Sequence, residues 1–501
     1  MAPQAMSVSA VLARRAAMSG TDRAVIADDG NCDFAGLEAG AARMAAAFAG
    51  LGVEPGDRVG LLLPAGLGFA QAFFALARLG AIACPLNTRL GAGELADIVT
   101  LSGLQLLLHH DQFATIADAV LVACPDVQRQ EFDAFNRLAH SAPVAPHHIC
   151  QPTDPVLLVF TSGTTGRPKG VVITHDQMLW ASLTMVPTLD MRPGDVHLLP
   201  VPLFHVGGLS FLLHCVHLGM VLAIPPRWES EAVLTLIERE QVAHFFAVPL
   251  MLADLLDAPG FAPGRLQSVR WVMGGGAPVP VALIRRFADL GIPLLQTMGA
   301  TETCGPGVVV DAANALRKAG SVGRGFFHTE LRLRDETGNE PATGAPGEIQ
   351  LRARHIASGY WNDPEATAQS FMPDGWFCTG DIGLMDDEGF VTLVDRARNK
   401  IITGGENVYP AEVERCLADL PGVADLAVIG LPDPRWGEVV VAVIVADGPP
   451  PALETIKAAC NGRLAGYKHP RRLVLRAALP RNATGKLLRM QLRDDVERNG
   501  G

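Results

Sequence analysis

The sequence predicts an α/β fold with a large N-terminal domain made of several subdomains. Between residue 20 and about residue 330, amphipathic stretches such as 34–51 alternate with short apolar runs such as 59–63, 156–160 and 221–224. Amphipathic helices that cover buried strands produce this alternation. We therefore expect helices packed over buried strands through most of the chain.

Two later changes of pattern predict further parts of the fold. After about residue 320, short strands separated by turns predict a β-rich subdomain that closes the large domain. After residue 395 the pattern predicts a small α+β C-terminal domain, with a helix over 410–420, strands at 426–430 and 439–446, and a helix over about 451–464. The predicted domains are therefore residues 1–395 and 396–501.

Charge and cysteine content restrict the class of partner and the cellular location. The 501 residues carry 41 Lys and Arg against 52 Asp and Glu, and this net charge of -11 would repel a nucleic acid. The nine cysteines form no Cys-x-x-Cys pair, as in reduced cytoplasmic proteins. No secretory signal is evident, and the apolar residues 208–224 predict a buried helix and strand. We expect a cytoplasmic protein with no nucleic-acid partner and no integral membrane segment.

The loop from Thr161 to Gly170 is a candidate phosphate site. It follows the apolar run 156–160, precedes a second short predicted strand at 171–174, and reads Thr-Ser-Gly-Thr-Thr-Gly-Arg-Pro-Lys-Gly. Its glycines let backbone N–H groups converge, while hydroxyl groups and Lys169 add donors and a positive charge. The nucleotide loop of kinases and motor ATPases requires Gly-Lys-Ser/Thr before a helix, and that pattern is absent here. By itself the loop predicts a polyphosphate site, with a flexible linker as the alternative.

Five further motifs follow this loop along the chain. They are Gly274-Gly275-Gly276-Ala277-Pro278, Met298-Gly299-Ala300-Thr301-Glu302, Gly375-Trp376-Phe377-Cys378-Thr379-Gly380-Asp381, the pair Asp395-Arg396-Ala397-Arg398 and Gly404-Gly405-Glu406-Asn407-Val408-Tyr409-Pro410, and Pro480-Arg481-Asn482-Ala483-Thr484-Gly485-Lys486. Together the six motifs resemble the signatures of the adenylate-forming superfamily, which includes acyl-CoA synthetases, carrier-protein adenylation domains and luciferases. The last third of the chain looks most similar to bacterial fatty-acid and feruloyl-type CoA ligases. Any one motif would be weak evidence, but six in one order make chance agreement negligible.

The resemblance implies that ATP activates a carboxylic acid. Attack of a carboxylate on an α-phosphate brings two anions together, so the site must neutralise charge with a metal ion and cations. By resemblance, Glu302 would hold Mg²⁺ beside the phosphates, Thr301 would bond the α-phosphate, and Lys486 would bridge the carboxylate and the phosphate. Lys169 and His205 complete the implied catalytic set. Mg²⁺ is the implied cofactor, with ATP and CoA as co-substrates.

The same motifs imply a nucleotide site. Its residues are Thr161, Ser162, Gly163, Thr164, Thr165, Gly275, Gly276, Ala277, Gln296, Thr297, Met298, Gly299, Asp381 and Arg396. Asp381 offers acceptors and Arg396 a donor fork suited to ribose hydroxyls. Met298 stands where the family usually has an aromatic residue that stacks on adenine. Either its thioether covers the purine by dispersion, or its flexible side chain widens the acyl tunnel.

The resemblance also implies a mobile C-terminal domain. A thiol must reach the acyl carbon of the adenylate, which the adenylating arrangement shields. Arg398 falls on the family's hinge position, and rotation of the small domain about it would withdraw Lys486. The same rotation would present Gly404, Gly405 and Glu406 along a CoA channel.

The acid and its acceptor are less closely defined. Phe204-His205 stands where amino-acid-activating domains usually have Phe-Asp, so the site offers nothing to an ammonium group. The implied pocket walls, at 206–209, 273–275, 298 and 304–308, are neutral and favour a monocarboxylic acid. We expect an acyl-CoA ligase that converts a fatty or aryl/hydroxycinnamic acid with ATP to acyl-AMP and pyrophosphate, then with CoA to acyl-CoA and AMP. The alternative is a stand-alone adenylation enzyme that loads an acyl carrier protein. A homodimer is compatible with the sequence.

Overall fold

Alternating helices and strands fill most of the chain, as the apolar pattern predicted. The computed structural model describes residues 6–142, 148–161, 168–396, 399, 401–403, 406–434, 436–461, 464, 466–481, 485 and 487–498, with the backbone alone at 395, 396, 406 and 407. Contacts divide the chain into a first unit, Met1–Leu331 with Leu351–Phe377, and a second unit, Arg332–Gln350 with Cys378–Gly501. The predicted boundary between residues 395 and 396 falls inside the second unit. As a functional boundary it stays a prediction.

The described helices account for the amphipathic stretches of the sequence. They are α1 (Val8–Ser19), α2 (Phe34–Gly50), α3 (Leu67–Leu79), α4 (Ala92–Ser102), α5 (Ala114–Ala123), α6 (Phe132–Ser141), α7 (His175–Met185), α8 (Val206–Leu218), α9 (Ser230–Glu240), α10 (Pro249–Leu256), α11 (Val281–Asp289), α12 (Pro364–Ser370), α13 (Pro410–Leu417), α14 (Leu453–Cys460) and α15 (Arg489–Arg498). None of the helices in the described ranges has both the length and the apolar character needed to span a bilayer.

The described strands are mostly short. They are β1 (Arg23–Ala27), β2 (Gly30–Asp33), β3 (Arg58–Leu62), β4 (Ile82–Pro85), β5 (Leu106–His109), β6 (Gln128–Glu131), β7 (Pro155–Thr161), β8 (Lys169–Thr174), β9 (Val196–Leu198), β10 (Val221–Ile224), β11 (His244–Ala247), β12 (Trp271–Gly274), β13 (Leu294–Met298), β14 (Val308–Val309), β15 (Arg324–Gly325), β16 (Glu330–Arg334), β17 (Pro346–Arg352), β18 (Gly359–Tyr360), β19 (Phe377–Met385), β20 (Val391–Arg396), β21 (Ile401–Thr403), β22 (Glu406–Val408), β23 (Val423–Asp433), β24 (Gly437–Ala446) and β25 (Arg472–Leu475). The apolar residues 208–224 form most of α8 followed by β10, as predicted.

A nine-stranded sheet positions several of the predicted site residues. Its strand order is β15-β14-β13-β12-β11-β9-β10-β1-β2. The central strands β13, β12, β11, β9, β10 and β1 run parallel, so their carboxyl ends meet at one edge. Ligands of such sheets bind at this edge, because the loops that follow the strands converge there.

A seven-stranded sheet carries the candidate phosphate loop. Its order is β18-β8-β7-β4-β3-β5-β6, with β7 and β8 antiparallel and Thr161 paired with Lys169. Residues 162–167, between these two strands, lie outside the described residues. The loop is therefore followed by a strand and not by a helix, as the comparison with kinase-type loops predicted.

Apolar side chains bury both faces of the nine-stranded sheet. One core joins residues of both large sheets with α1, α2, α3, α7 and α8, and a second core covers the other face with α9, α10 and α11. Helix α2 shows how the sequence sets this packing. Asp33 caps it by accepting a hydrogen bond from the N–H of Gly36 at 2.7 Å, and Phe48 packs on Phe135 with ring centroids 4.4 Å apart. Each such buried ring stabilises the fold by about 2 kcal/mol.

The second unit contains two smaller sheets. One is four-stranded in the order β16-β17-β19-β20, and it is the β-rich segment that the sequence predicted. The other has the order β22-β21-β24-β23, with β25 on β24. Helix α13 begins at Pro410 as predicted and ends three residues before the predicted Leu420. Helix α14 is shorter than the predicted 451–464, because Ala452 and Asn461 adopt extended backbone at its two ends.

Candidate active site

Three glycines shape the loops that follow β12 and β13. A methyl group at Gly275 would lie 2.7 Å from Cγ2 and 2.9 Å from the carbonyl oxygen of Thr297. One at Gly299 would collide with the carbonyl oxygen of Gly305. Gly276 has a φ of 78°, in the left-handed region that L side chains rarely adopt. The structure thus brings the two predicted nucleotide loops close together, as adjacent parallel strands require.

A single turn of 3-10 helix, Thr301–Thr303, holds Thr301 and Glu302 just beyond β13. The Thr303 hydroxyl closes this turn, because Oγ1 accepts a hydrogen bond from the N–H of Ala300 at 2.9 Å. Cys304 ends the turn with a φ of 55° and is completely buried, with Sγ 3.3 Å from Sδ of Met178. Burial raises the pKa of the Cys304 thiol, so it is a packing residue here and not a nucleophile.

Glu302 and Lys169 both contact the side chain of Tyr360. The phenol of Tyr360 donates a hydrogen bond to Oε1 of Glu302 at 2.8 Å. The ammonium of Lys169 lies 4.9 Å from the centroid of the same ring. Burial and the nearby Glu302 carboxylate raise the pKa of Tyr360, so the phenol keeps its proton and acts as a donor. The structure therefore brings two predicted catalytic residues together through a residue that sequence reasoning missed.

His355 forms a hydrogen bond with the same turn. Its Nδ1 is 2.8 Å from the carbonyl oxygen of Thr303, and its Nε2 is 2.8 Å from Oγ1 of Thr329. Burial lowers the pKa of His355 to about 4, so the ring is neutral at neutral pH. Sequence reasoning passed over both His355 and Tyr360, because they stand between recognised motifs. The signal in the sequence that could have identified them is the presence of two polar aromatic rings, His355 and Tyr360, in a segment that otherwise reads as turns.

A neutral wall lies where the acyl pocket was predicted. A methyl group at Gly207 would lie 3.5 Å from Cε1 of Phe246, and one at Gly275 would lie 3.2 Å from Cε2. Phe246 is half-buried and packs almost parallel to Phe211, with centroids 6.3 Å apart. The sequence analysis did not include Phe246 in this wall, because a short apolar strand does not show which side chain faces a ligand.

His205 is the N-terminal cap residue of α8, and its ring packs edge-on against Phe204, with centroids 4.6 Å apart. Surrounding protein atoms and then the positive charge of Arg89 lower the pKa of His205 to about 4. The imidazole is therefore uncharged at neutral pH and can accept or donate a hydrogen bond without a charge of its own.

Two predicted nucleotide residues use their side chains within the protein. Gln296 is buried, and its Oε1 accepts a hydrogen bond from the N–H of Gly320 at 3.1 Å. Thr297 donates from Oγ1 to the carbonyl oxygen of Val308 at 2.7 Å. These bonds fix the end of β13 beside β14. Direct contact of either side chain with a nucleotide stays a prediction. Ala277 is exposed and Met298 is half-buried, and their contacts with a nucleotide also stay predictions.

The second unit carries the predicted ribose residues. Strand pairing between β19 and β20 places Asp381 directly opposite Arg396, so the register agrees with a shared ligand for the two residues. The N–H of Asp381 donates to Oγ1 of Thr379 at 3.1 Å, which fixes the backbone there. Glu406 lies in β22, where only its backbone is described. The remaining predicted residues lie outside the described part of the chain: Ser162, Gly163, Thr164, Thr165, Arg398, Gly404, Gly405 and Lys486.

Glu302 has the properties of a magnesium ligand. Among the described residues, only Tyr360 bonds to its carboxylate, and that bond uses Oε1. Proteins usually supply Mg²⁺ with one or two carboxylates, and phosphates and water complete the shell. A half-buried carboxylate with one oxygen available fits this requirement.

Comparison with known proteins agrees with this geometry. Residues 12–361 match the family described as AMP-binding enzyme, and residues 412–486 match the AMP-binding enzyme C-terminal domain. The long-chain-fatty-acid–CoA ligase FadD13 of Mycobacterium tuberculosis is 40% identical over 92% of each chain. A feruloyl-CoA synthase of Amycolatopsis sp is 38% identical over 96% of this chain and 97% of its own.

A solved structure is similar over nearly the same extent. The o-succinylbenzoate coenzyme A synthetase (MenE) of Bacillus subtilis, in complex with ATP and magnesium ion, has a TM-score of 0.88 at 35% identity, over 97% of this chain and 99% of its own. The chain belongs to the AMP-binding enzyme family. The predicted superfamily, its acyl-CoA synthetase branch and the fold class are thereby confirmed.

Proposed function

We propose that this protein is an AMP-forming acid–CoA ligase that uses magnesium, ATP, CoA and a monocarboxylic acid with an apolar tail. The observation that carries the proposal is the cluster of Lys169, Tyr360 and Glu302 beside the glycine loops of β12 and β13. In this cluster an ammonium group and a carboxylate contact the same tyrosine side chain. Such a site suits attack by one substrate on another, assisted by charge neutralisation.

Two steps follow from this chemistry. A carboxylate oxygen of the acid forms a bond to the α-phosphorus of ATP, and the bond to pyrophosphate breaks. The sulfur of CoA then attacks the acyl carbon, AMP leaves, and the thiol proton passes to solvent. Lys169 would offset phosphate charge, Thr301 would bond the α-phosphate, and Lys486 would hold the attacking carboxylate. Mg²⁺, when bound at Glu302, supplies further positive charge.

The protein's own geometry supports an acid without a charged tail. His205 is neutral, and the wall formed by Gly207, Phe246 and Gly275 carries no charge. Against this wall a second carboxylate or an ammonium group would lose hydration, and the cation near His205, Arg89, is exposed to solvent. The acid is therefore fatty or aryl, including hydroxycinnamic acids.

Phe246 is expected to limit the size of the acid. Replacing Phe246 by Ala removes the ring between Gly207 and Gly275, which deepens the pocket toward Phe211. The ratio of kcat/KM for a longer acid to that for a shorter one should rise at least about tenfold, because about 1–3 kcal/mol of pocket contact corresponds to about 10–200-fold. The matched control is Phe327→Ala, because Phe327 is 71% exposed. An unchanged acid preference in folded Phe246→Ala would exclude Phe246 from the pocket.

One assay tests the proposed function. Pyrophosphate release is measured with fatty, aryl and hydroxycinnamic acids, with and without CoA, and the acyl-CoA formed is detected by mass. We expect acid-dependent release, with stoichiometric acyl-CoA and AMP when CoA is present. Release that CoA does not stimulate, together with transfer to an acyl carrier protein, would favour the carrier-loading alternative. No release with any acid would contradict the proposal.

The finer assignments of the second unit belong to the same proposal. Between the two steps, rotation about Arg398 would withdraw Lys486 from the site. The same rotation would bring Gly404, Gly405 and Glu406 to the CoA channel. The opposed positions of Asp381 and Arg396 support a shared ribose ligand. The spacing of the cysteines supports a cytoplasmic location.

A further inference from the structure

Residues 355–361 form a bridging segment between two parts of the first unit. On one side it pairs with β8, the strand that follows the phosphate loop. Gly359 and Tyr360 lie opposite Val172 and Val171, and the N–H of Trp361 donates to the carbonyl oxygen of Gly170 at 2.7 Å. The bridging segment is therefore fixed by backbone hydrogen bonds beside Lys169.

On its other side the bridging segment holds the turn that carries Glu302. Three of its residues contact this turn, each at 2.8 Å. His355 bonds through Nδ1 to the carbonyl oxygen of Thr303, the N–H of Ala357 donates to the carbonyl oxygen of Glu302, and the phenol of Tyr360 donates to the Glu302 carboxylate. The two large sheets are thus tied to each other where both carry predicted site residues.

The ring of Tyr360 has little freedom to move. Its backbone N–H donates to Oγ1 of Thr367 at 2.9 Å, and Phe371 packs edge-on against the ring with centroids 5.6 Å apart. One face of the ring receives the Lys169 ammonium at 4.9 Å. A fixed ring fixes the hydroxyl, and the hydroxyl in turn restricts the rotation of the Glu302 carboxylate.

We propose that Tyr360 is a positioning residue that orients the Glu302 carboxylate for a divalent cation and holds Lys169 at a set separation from it. The inference rests on the proposed function insofar as Glu302 binds Mg²⁺ with ATP. The hydrogen bond uses Oε1, so Oε2 could serve as the metal ligand. Partners that orient a metal ligand in this way typically contribute ten- to a hundredfold to metal affinity, that is about 1.4 kcal/mol or more.

The experiment compares Tyr360→Phe and Tyr360→Leu with the unmodified protein. Tyr360→Phe removes the hydroxyl and keeps the ring, whereas Tyr360→Leu removes both contacts. Tyr467→Phe is the matched control, because Tyr467 is partly buried against the core of the second unit. Binding of Mn²⁺ in the presence of ATP is followed by electron paramagnetic resonance, and binding of metal-free ATP in EDTA by calorimetry. Neither readout requires turnover.

We expect Tyr360→Phe to weaken Mn²⁺ binding about tenfold and to leave metal-free ATP binding unchanged. Tyr360→Leu should weaken both, because Lys169 loses its ring, and Tyr467→Phe should alter neither. An unchanged Mn²⁺ affinity in Tyr360→Phe would overturn the proposal. A tighter affinity would do so as well, since the hydroxyl would then compete with the metal. Failure of the proposed function would give a different result. The unmodified protein would then bind Mn²⁺ with ATP but release no pyrophosphate with any acid.

Discussion

Replacing Glu302 by Gln is expected to lower acid-dependent pyrophosphate release by about two to three orders of magnitude. Gln has the size of Glu and can accept the same hydrogen bond from Tyr360, so the turn should keep its shape. The substitution removes one negative charge and the preferred oxygen ligand of Mg²⁺. The loss corresponds to about 3–4 kcal/mol of charge stabilisation, the usual effect of removing one electrostatic contact from an active site.

The Glu302→Gln experiment needs two comparisons. Initial rates of pyrophosphate release are measured over a range of Mg²⁺ concentrations, and high Mg²⁺ should restore only part of the activity. Glu365→Gln is the matched control, because Glu365 is exposed on α12 and should tolerate the change. Rates of Glu302→Gln within threefold of the unmodified protein at low Mg²⁺ would show that Glu302 does not hold the metal.

The first unit is expected to lose most of its stability between pH 6.5 and pH 4. Burial lowers the pKa of His175 and His355 from 6.5 to about 4, and that of His214 to about 3. The buried His197 and His244 also have lowered pKa values, again chiefly through burial. All of these rings lie in the first unit.

The direction follows from proton binding. Below pH 6.5 the unfolded chain binds protons at these histidines, whereas the folded chain excludes them until about pH 4. The free energy of unfolding is therefore highest above pH 6.5 and falls as the pH is lowered through this window. A shift of this size amounts to about 3 kcal/mol for each ring. Three such rings together approach the whole stability of a typical domain, about 5–15 kcal/mol.

Urea unfolding at pH 7.5 and pH 5.0 measures this effect through tryptophan fluorescence. Five of the six tryptophans, Trp180, Trp228, Trp271, Trp361 and Trp376, lie in the first unit and report on it. His175→Asn should retain an acceptor for the N–H of Val8 and reduce the pH slope by about 1.4 kcal/mol per pH unit. His140→Asn, on the exposed face of α6, is the control. Equal free energies of unfolding at the two pH values would contradict the assignment of buried neutral histidines.

The sequence by itself determined the fold class and the family. Helix α2, strands β7 and β10 and the strand after the phosphate loop could be predicted because apolar periodicity and turn residues act over a few neighbouring positions. The order of the six motifs was sufficient for the family, and the comparisons confirmed it. The lengths of α13 and α14 were predicted less accurately, because the residue at which a helix ends depends on its local backbone conformation.

Only the tertiary structure decided how the site is held together. Tyr360 and Glu302 are 58 positions apart, and no local pattern indicates that a phenol and a carboxylate will meet. The same holds for His355 beneath Thr303 and for Phe246 between two glycines. The grouping of the β-rich segment with the second unit is also a property of long-range contacts. Local sequence sets which residues form strands and turns, whereas sheet order and register decide which side chains become neighbours.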